Sequence, residues 1–198
     1  KATSVNPGIS AHGKFLLNTK SDKLSGFSPE YVAPFELLKY KDNLGKRTEK
    51  ALEFAMKHNF PVVLKPDLGG RGAGVWIVKD SDQLKADIEL VDYDAIIQAY
   101  VAGVEYGIFW IRHSREKKGH VVSITEKRLP KVTGDGKRTL EELVLAHPRS
   151  VCMAKKHLTY LSDRLDYIPK NGEVVLIGEI GTHSLGALFL DGGEIHTS

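Results

Sequence analysis

The chain has 198 residues, of which 41% are hydrophobic and 27% charged, as is ordinary for a soluble globular protein with one large or two small domains. A formal net charge of +3 gives no indication of nucleic acid binding, and no apolar run approaches the ~20 residues of a membrane helix. The single cysteine, Cys152, excludes an internal disulfide and a zinc pattern, so we expect it to pack as a small hydrophobe in a reducing cytoplasm.

Both ends of the sequence are typical of the inside of a longer chain. Lys1 is not an initiator methionine, and Thr197 and Ser198 favour the N-cap of a helix that does not follow. We therefore expect residues 1–33 to be a lead-in from a preceding domain. We also expect the last domain of this chain to be truncated.

Three elements are predicted in the first part of the chain. Residues 19–24 favour a short helix, and residues 31–38 favour an extended strand because a residue before proline avoids the helical region. Residues 46–58 predict a longer helix. Its apolar face is expected at three positions: Leu52, Ala55 and Met56.

A glycine-rich loop lies between two short β-prone runs, 61–64 and 75–78, and the first run is followed by Lys65. The loop reads Gly69-Gly70-Arg71-Gly72-Ala73-Gly74. Because the glycines leave few side chains in the way, backbone N–H groups can approach an anion, and Lys65 adds a compact positive charge. The pattern indicates polyphosphate binding, with an ordinary glycine-rich hairpin as the alternative.

Two well-known phosphate-binding loops are excluded by the residues on the C-terminal side of the glycines. A P-loop ends in Gly-Lys-Ser/Thr before a helix, and the dinucleotide fingerprint G-x-G-x-x-G also opens a helix. Here Val75 begins a β-prone run instead. The unit is therefore predicted to be a hairpin whose tip can close over phosphate as a flap.

A further helix and three strands are predicted after this hairpin. Ser81 is a candidate N-cap, and Leu84, Ile88 and Val91 follow at helical spacing. The three strands are rich in β-branched residues. They are expected at residues 95–101, 104–111 and 121–126.

The last third of the chain predicts two short helices and two strands. Thr139 with Glu142 makes a capping box for a helix that ends near Ala146, and Ser150 begins another that reaches Tyr160. The strands are expected at residues 174–177 and 185–190. This unequal mixture of helices and antiparallel hairpins predicts an α+β fold and not a doubly wound parallel sheet.

Taken together, these motifs resemble the ATP-grasp superfamily of carboxylate–amine ligases, which includes D-alanine–D-alanine ligase. The run Val62-Val63-Leu64-Lys65-Pro66, the glycine loop and Val75-Trp76-Ile77-Val78 are similar to its flap. Gln98-Ala99-Tyr100-Val101 and Glu105 are similar to its adenine hinge. Val132-Thr133-Gly134-Asp135-Gly136-Lys137 is similar to a segment of cyanophycin synthetase and glutathione-type ligases.

The resemblance covers roughly residues 18–198 and implies the ATP-grasp fold, with two α+β lobes and the nucleotide between them. It places the flap lobe at residues 34–97 and the core lobe at residues 98–198.

The resemblance also implies ATP and Mg²⁺ as cofactors. A lysine matching Lys65 contacts the α- and β-phosphates in the family, and an earlier lysine does similar work; Lys23 is our choice, with Lys20 as its rival. Glu105 matches a carboxylate that accepts hydrogen bonds from the ribose, and Ala99 and Val101 would offer backbone groups to adenine.

The expected ATP contacts are Lys23, Lys65, Gly69, Gly70, Arg71, Gly72, Gln98, Ala99, Tyr100, Val101 and Glu105. For the lysines a solvated surface position, and for Gln98 and Glu105 an exposed strand face, are the alternatives.

Two residues are candidates for catalytic contacts. Arg128 matches a basic residue that faces the γ-phosphate or the substrate carboxylate, and Lys127 competes with it because strand alternation lets only one face the cleft. His183 matches a small polar loop beside the acceptor, with a structural or exposed histidine as the alternative. The family's Glu-x-Asn magnesium element is absent, so we expect the metal carboxylates beyond Ser198.

The predicted function is an ATP-dependent ligase domain that joins a small-molecule or peptide carboxylate to an amine through an acyl-phosphate. A non-catalytic nucleotide-binding module and a kinase that phosphorylates a hydroxyl are the alternatives. The 198-residue chain alone is expected to be inactive, with no nucleic acid or membrane partner and with a homo-oligomer as an open possibility.

Overall fold

The computed structural model describes residues 19–193 of the chain. They form two compact units, and the boundary between the units lies between Ala102 and Gly103. The predicted N-cap at Thr197 and Ser198 lies outside the described residues.

The first unit is a four-stranded antiparallel sheet with its two longer helices packed on one face. Its strands, in the order β1-β4-β2-β3, are β1 Phe35–Leu38, β2 Val62–Pro66, β3 Trp76–Val78 and β4 Ala95–Ala99. Its helices are α1 Lys20–Ser25, α2 Leu44–His58 and α3 Ser81–Glu89, with a 3₁₀ turn at Pro29–Tyr31. The strand predicted at 31–38 is therefore confirmed only in its second half.

The two faces of this sheet have different roles. One face forms the core beneath α2 and α3 and consists of Leu38, Val62, Leu64, Val78, Ala95 and Ile97. Side chains alternate along a strand, and directly paired residues share a face. Lys65 pairs with Ile96, and Val63 pairs with Gln98, so these four residues lie on the opposite face. The candidate phosphate lysine and the candidate hinge glutamine therefore share one surface.

The helix predicted at residues 46–58 is confirmed as α2, which begins slightly earlier, after the cap Asn43. The Asn43 side chain accepts a hydrogen bond from the Lys46 N–H. The predicted apolar face was wrong at Met56, whose side chain is 79% exposed. The buried stripe instead runs along Arg47, Ala51, Phe54 and Ala55. These positions are spaced i, i+4, i+7 and i+8, and Met56 lies beyond the edge of that stripe.

The strand–loop–strand prediction around the glycines is confirmed. β2 and β3 pair antiparallel, with Val62 opposite Val78 and Leu64 opposite Trp76. A parallel βαβ arrangement of this segment is thereby excluded.

The cap of α3 lies one residue earlier than predicted. The Asp80 carboxylate accepts hydrogen bonds from the N–H groups of Asp82 and Gln83, so Asp80, not Ser81, is the N-cap. Leu84 and Ile88 are buried as predicted. A carboxylate caps as well as a hydroxyl does, and the sequence offers both side by side.

The second unit contains a three-stranded antiparallel sheet, in the order β5-β6-β9, and a two-stranded sheet, β7-β8. The strands are β5 Glu105–Ile111, β6 His120–Arg128, β7 Lys131–Thr133, β8 Val174–Leu176 and β9 Leu188–Asp191. The helices are α4 Leu140–Ala146 and α5 Ala154–Tyr160, with 3₁₀ turns at Val151–Met153 and His183–Leu185. Their core is formed by Val132, Leu140, Leu143, Val144, Leu161, Val175 and Ile177. Antiparallel sheets with a minority of helices confirm the α+β prediction.

The helix cap predicted in the second unit, which depends only on residues near in sequence, is confirmed. The Thr139 hydroxyl accepts from the Glu142 N–H at 3.2 Å, and the Glu142 carboxylate accepts from the Thr139 N–H at 2.8 Å, so the capping box is present. The helix predicted from Ser150 is split into a 3₁₀ turn and α5. Cys152 was expected to pack as a small hydrophobe, but it is exposed on that turn. Within residues 19–193, none of the helices is long and apolar enough to cross a membrane.

Candidate functional site

The glycine loop between β2 and β3 is packed at one end and open at the other. At Gly74, with φ of +66°, an added Cβ would lie 2.8 Å from the Pro66 side chain and 3.0 Å from the Tyr93 hydroxyl. At Gly69 and Gly70, an added Cβ would meet nothing within 4 Å. Gly74 therefore fits the loop closely against its own unit, and the open end leaves room for another molecule.

Lys65 holds a partly buried positive charge beside this loop. Its Nζ donates to Gln98 Oε1 at 2.6 Å, and Gln98 Nε2 donates in turn to the Ala33 carbonyl at 2.9 Å. Burial lowers the pKa of Lys65, and the nearby charge of Lys20 lowers it further. An ammonium that is desolvated and repelled by a second ammonium is stabilised by an added anion.

Lys20 supplies that second ammonium, and it contacts the loop directly. Its Nζ donates to the Pro66 carbonyl at 2.5 Å and to the Gly69 carbonyl at 3.2 Å. Burial lowers the pKa of Lys20, and the carboxylate of Asp67 partly offsets this effect. Lys23 is exposed in the same helix. The structure thus brings Lys20, the rival candidate, to the loop and to Lys65.

Asp67 is a part of this arrangement that sequence reasoning missed. It is only 3% exposed, and its carboxylate accepts from the Ser21 backbone N–H at 2.8 Å and from the Ser21 hydroxyl at 2.9 Å. The Lys20 N–H also donates to the Asp67 carbonyl. These bonds fix the start of α1 to the start of the loop. The partners are 46 positions apart, so no local pattern signals them.

The predicted adenine hinge follows β4 in the first unit. Tyr100 and Val101 are exposed, 42% and 73% respectively, beyond the end of the strand. The backbone N–H of Ala99 was expected to be offered to adenine, but it donates to the Pro34 carbonyl at 2.9 Å. Arg71 is exposed at the loop tip with φ of +60°.

In the second unit, Glu105 lies in a cluster with two other polar residues and an aromatic ring. Glu105 forms an ion pair with Lys127, whose ammonium lies 5.7 Å from the centroid of the Phe189 ring. The His183 ring stacks on Phe189 with centroids 3.8 Å apart. Register alone could have signalled the Glu105–Lys127 pair, because the two residues lie directly opposite each other in the β5–β6 hairpin.

Arg128 is placed differently from the other catalytic candidate, His183. Arg128 lies within β6, and its guanidinium donates to both carboxylate oxygens of the buried Glu126 at 2.7 and 3.1 Å. Because side chains alternate along a strand, Arg128 and Lys127 lie on opposite faces of the sheet. The structure therefore brings Lys127, and not Arg128, to Glu105 and His183.

The described residues do not contain a cluster of ligating side chains that would mark a metal site. Among residues 19–193, no three His, Cys, Asp or Glu side chains are close enough to hold a metal ion together. We therefore assign no magnesium ligand within these residues.

Residues 33–101 match the family described as carbamoyl-phosphate synthase L chain, ATP binding domain. This segment contains β1 to β4, the glycine loop, Lys65 and Gln98. No curated protein gave a significant match to the chain.

Three solved structures illustrate the likeness in fold. A bifunctional glutathione synthetase from Pasteurella multocida is 19% identical over 83% of this chain and 23% of its own, with a TM-score of 0.37. A D-alanine–D-alanine ligase from Bacillus anthracis is 24% identical over 61% of this chain and 37% of its own, with a TM-score of 0.45. An N5-carboxyaminoimidazole synthetase from Staphylococcus aureus complexed with ADP is 14% identical over 84% of this chain and 44% of its own, with a TM-score of 0.45.

The chain spans less than half the length of each of these three structures, and likenesses this weak carry no argument about function. The sequence match over the flap segment is more specific. Residues 33–101 match the ATP-binding domain of the ATP-grasp superfamily, which confirms the resemblance drawn from the sequence for that part of the chain.

Proposed function

We propose that the first unit binds the phosphates of ATP through Lys20, Lys65 and the glycine loop. The observation that carries this proposal is the pair of partly buried lysines, each with a lowered pKa, beside the open end of the loop. Two desolvated ammonium groups without a shared carboxylate between them favour an anion as the third partner. A polyphosphate supplies that charge in a form that two lysines and loop N–H groups can contact together.

The contacts that hold the lysines also explain how they are positioned. Gln98 accepts from Lys65 and is itself fixed by donation to the Ala33 carbonyl, so it orients the ammonium without neutralising it. Asp67 fixes the start of α1 and thereby places Lys20 over the loop. In this proposal Gln98 and Asp67 are positioning residues, and Lys20 takes the role first assigned to Lys23.

We further propose that the activity is that of an ADP-forming carboxylate–amine ligase. A carboxylate oxygen attacks the γ-phosphorus, the bond to the β–γ bridging oxygen breaks, and ADP leaves with that electron pair. The amine nitrogen then attacks the acyl carbon, and phosphate departs as the new amide forms. The two lysines offset charge on the phosphates during the first step. The cluster of Glu105, Lys127 and His183 is the candidate for contacts outside the phosphates, and Arg128 remains a candidate on the other face of its sheet.

Nucleotide binding is tested with a matched pair of variants in one helix. Lys20→Met should weaken ATP binding about tenfold or more, the effect of losing a charge-assisted contact, whereas Lys23→Met should leave it unchanged. Calorimetric titration of the 198-residue chain with ATP provides the measurement. The reverse order of effects would assign the phosphates to Lys23 and overturn the placement proposed here.

The ligase chemistry is tested separately by isotope transfer. The full-length protein is used, because the 198-residue chain alone is expected to be inactive. With a panel of ¹⁸O-labelled carboxylates plus amines, an acyl-phosphate route moves one labelled oxygen from the carboxylate into the released phosphate. A hydroxyl kinase leaves the phosphate on its acceptor, and a non-catalytic module forms no ADP. Unlabelled phosphate released together with an amide product would contradict the acyl-phosphate route.

A further inference from the structure

A cavity separate from the glycine loop lies wholly within the second unit, bounded by β7, α4 and α5. Its volume is about 470 Å³, which is in the range of small-molecule sites. Among the described residues that line it there is no carboxylate. The basic and imidazole side chains that line it are Arg128, Lys131, Arg138, Arg149, His147 and His157.

Two of these cations are already paired and contribute little net charge. Arg128 is held by both oxygens of Glu126. Arg138 contacts Asp135 at 2.7 Å, and hydrogen bonds from the Arg138 backbone and side chain keep the pKa of that carboxyl well below its usual value. Arg149 and Lys131, by contrast, have no carboxylate within ion-pair distance among the described residues. The cavity therefore has an uncompensated positive charge.

Arg149 and His157 each have a side-chain nitrogen beside the backbone of Gly186 or Ala187. An Arg149 Nη donates to the Ala187 carbonyl at 3.1 Å. His157 is only 2% exposed, and its Nδ1 lies 2.8 Å from the Ile177 carbonyl, so Nδ1 carries the proton and donates. Its Nε2 lies at Gly186, where an added Cβ would be 2.9 Å away. The guanidinium and the second imidazole nitrogen thus lie beside two consecutive residues, Ala187 and Gly186.

The remaining wall is largely apolar. It includes Leu129, Pro130, Val132, Leu143 and Leu188. An anionic group alone would leave this surface in contact with water, whereas an attached apolar body would bury it. The chemistry of the cavity therefore fits a molecule with an oxyanion at one end and hydrocarbon at the other.

We propose that this cavity is a binding site for a small amphipathic oxyanion, a carboxylate or a phosphate ester, whose charged group is held by Arg149. The planar fork of Arg149 can present two N–H donors to either anion. The site is built entirely from residues of the second unit, and the inference does not depend on nucleotide binding by the first.

The test uses the 198-residue chain without nucleotide and three probes of similar shape. Phenylacetate and phenyl phosphate carry the two anionic groups, and phenylacetamide is the neutral control. In calorimetric or NMR titration we expect at least one anion to bind about tenfold or more tightly than phenylacetamide. The better of the two anions identifies the group that the site selects. Equal binding of all three probes, or no binding of either anion, would overturn the proposal.

Two variants then locate the site. Arg149→Gln retains an N–H donor for the Ala187 carbonyl but removes the charge, and it should reduce binding of the preferred anion about tenfold. Arg115→Gln, at an exposed position that does not line the cavity, should have no effect. Circular dichroism verifies that both variants fold. If a variant does not fold, the comparison of the anions with phenylacetamide on the wild-type protein still tests the proposal. An unchanged affinity in folded Arg149→Gln would refute the assignment.

Discussion

Replacement of Lys65 by methionine tests the candidate phosphate site at the more buried of its two lysines. Methionine has a similar length and apolar volume, so the change removes the ammonium while the sheet packing is largely kept. A hydrogen bond to a charged group contributes about 1.5–3 kcal/mol. At about 1.4 kcal/mol per factor of ten, we expect the dissociation constant for ATP to rise by about 10- to 150-fold.

The effect of Lys65→Met on stability is smaller, because two contributions oppose each other. Removal of the ammonium relieves its burial cost and its repulsion by Lys20. The change also leaves Gln98 Oε1 without the donor that now lies at 2.6 Å, at a cost of about 1–3 kcal/mol if no water replaces it. We therefore expect the free energy of unfolding to change by only about 1 kcal/mol in either direction.

Calorimetric titration with ATP measures the first effect, and thermal unfolding by circular dichroism measures the second. Lys46→Met, on an exposed position of α2, is the matched control and should change neither quantity appreciably. A folded Lys65→Met protein that binds ATP as tightly as the wild type would refute the phosphate role of Lys65. Loss of folding in the variant would refute the energy balance given for Gln98.

Three further outcomes are expected. The pKa of Lys65 is lowered from 10.5 in the folded state, so the affinity for ATP should begin to fall at a lower pH than that at which an ordinary lysine deprotonates. The free energy of unfolding without ligand should rise as pH increases toward 10.5, because the folded state disfavours the charged form of Lys65. A pH series of titrations and melts measures both, and a flat affinity profile up to pH 10.5 would contradict the first. Gly74→Ala should lower the free energy of unfolding by about 1–3 kcal/mol in denaturant titration, because its φ is positive and its Cβ would meet Pro66, whereas Gly70→Ala should cost less. Thr139→Ala should cost about 1 kcal/mol of stability by removing the α4 cap, and an unchanged melting temperature would contradict this.

The parts of the fold that were predictable depend on contacts between residues near in sequence. The capping box at Thr139 and Glu142 involves only four successive positions, and α2 follows from the periodicity of its apolar residues. The β2–β3 hairpin was predictable because the glycine loop joins two short β-prone runs. Even local signals had limits, since Asp80 and Ser81 are both good caps and only the packed helix distinguishes them.

The parts that were not predictable depend on pairing between distant segments. Lys20 reaches the loop because α1 is fixed to Asp67, a contact that spans 46 positions. The Lys65–Gln98 bond spans 33 positions and needs the register of β2 against β4. The choice between Lys23 and Lys20 therefore required the tertiary structure. The Glu105–Lys127 pair, by contrast, follows from the register of the β5–β6 hairpin, in which the two residues lie directly opposite each other.

The hydrogen bonds of the two lysines determine which kind of phosphate recognition they can provide. Two ammonium groups have six N–H donors between them, of which Lys20 uses two on carbonyl oxygens and Lys65 uses one on Gln98. Among the described residues, half of the donors are thus committed to the protein, while both positive charges remain. Attraction by charge should then dominate over directional bonding at this pair. Because mobile ions screen charge, the affinity of the first unit for nucleotides should fall steeply with ionic strength and should change little between anions of equal charge and different shape.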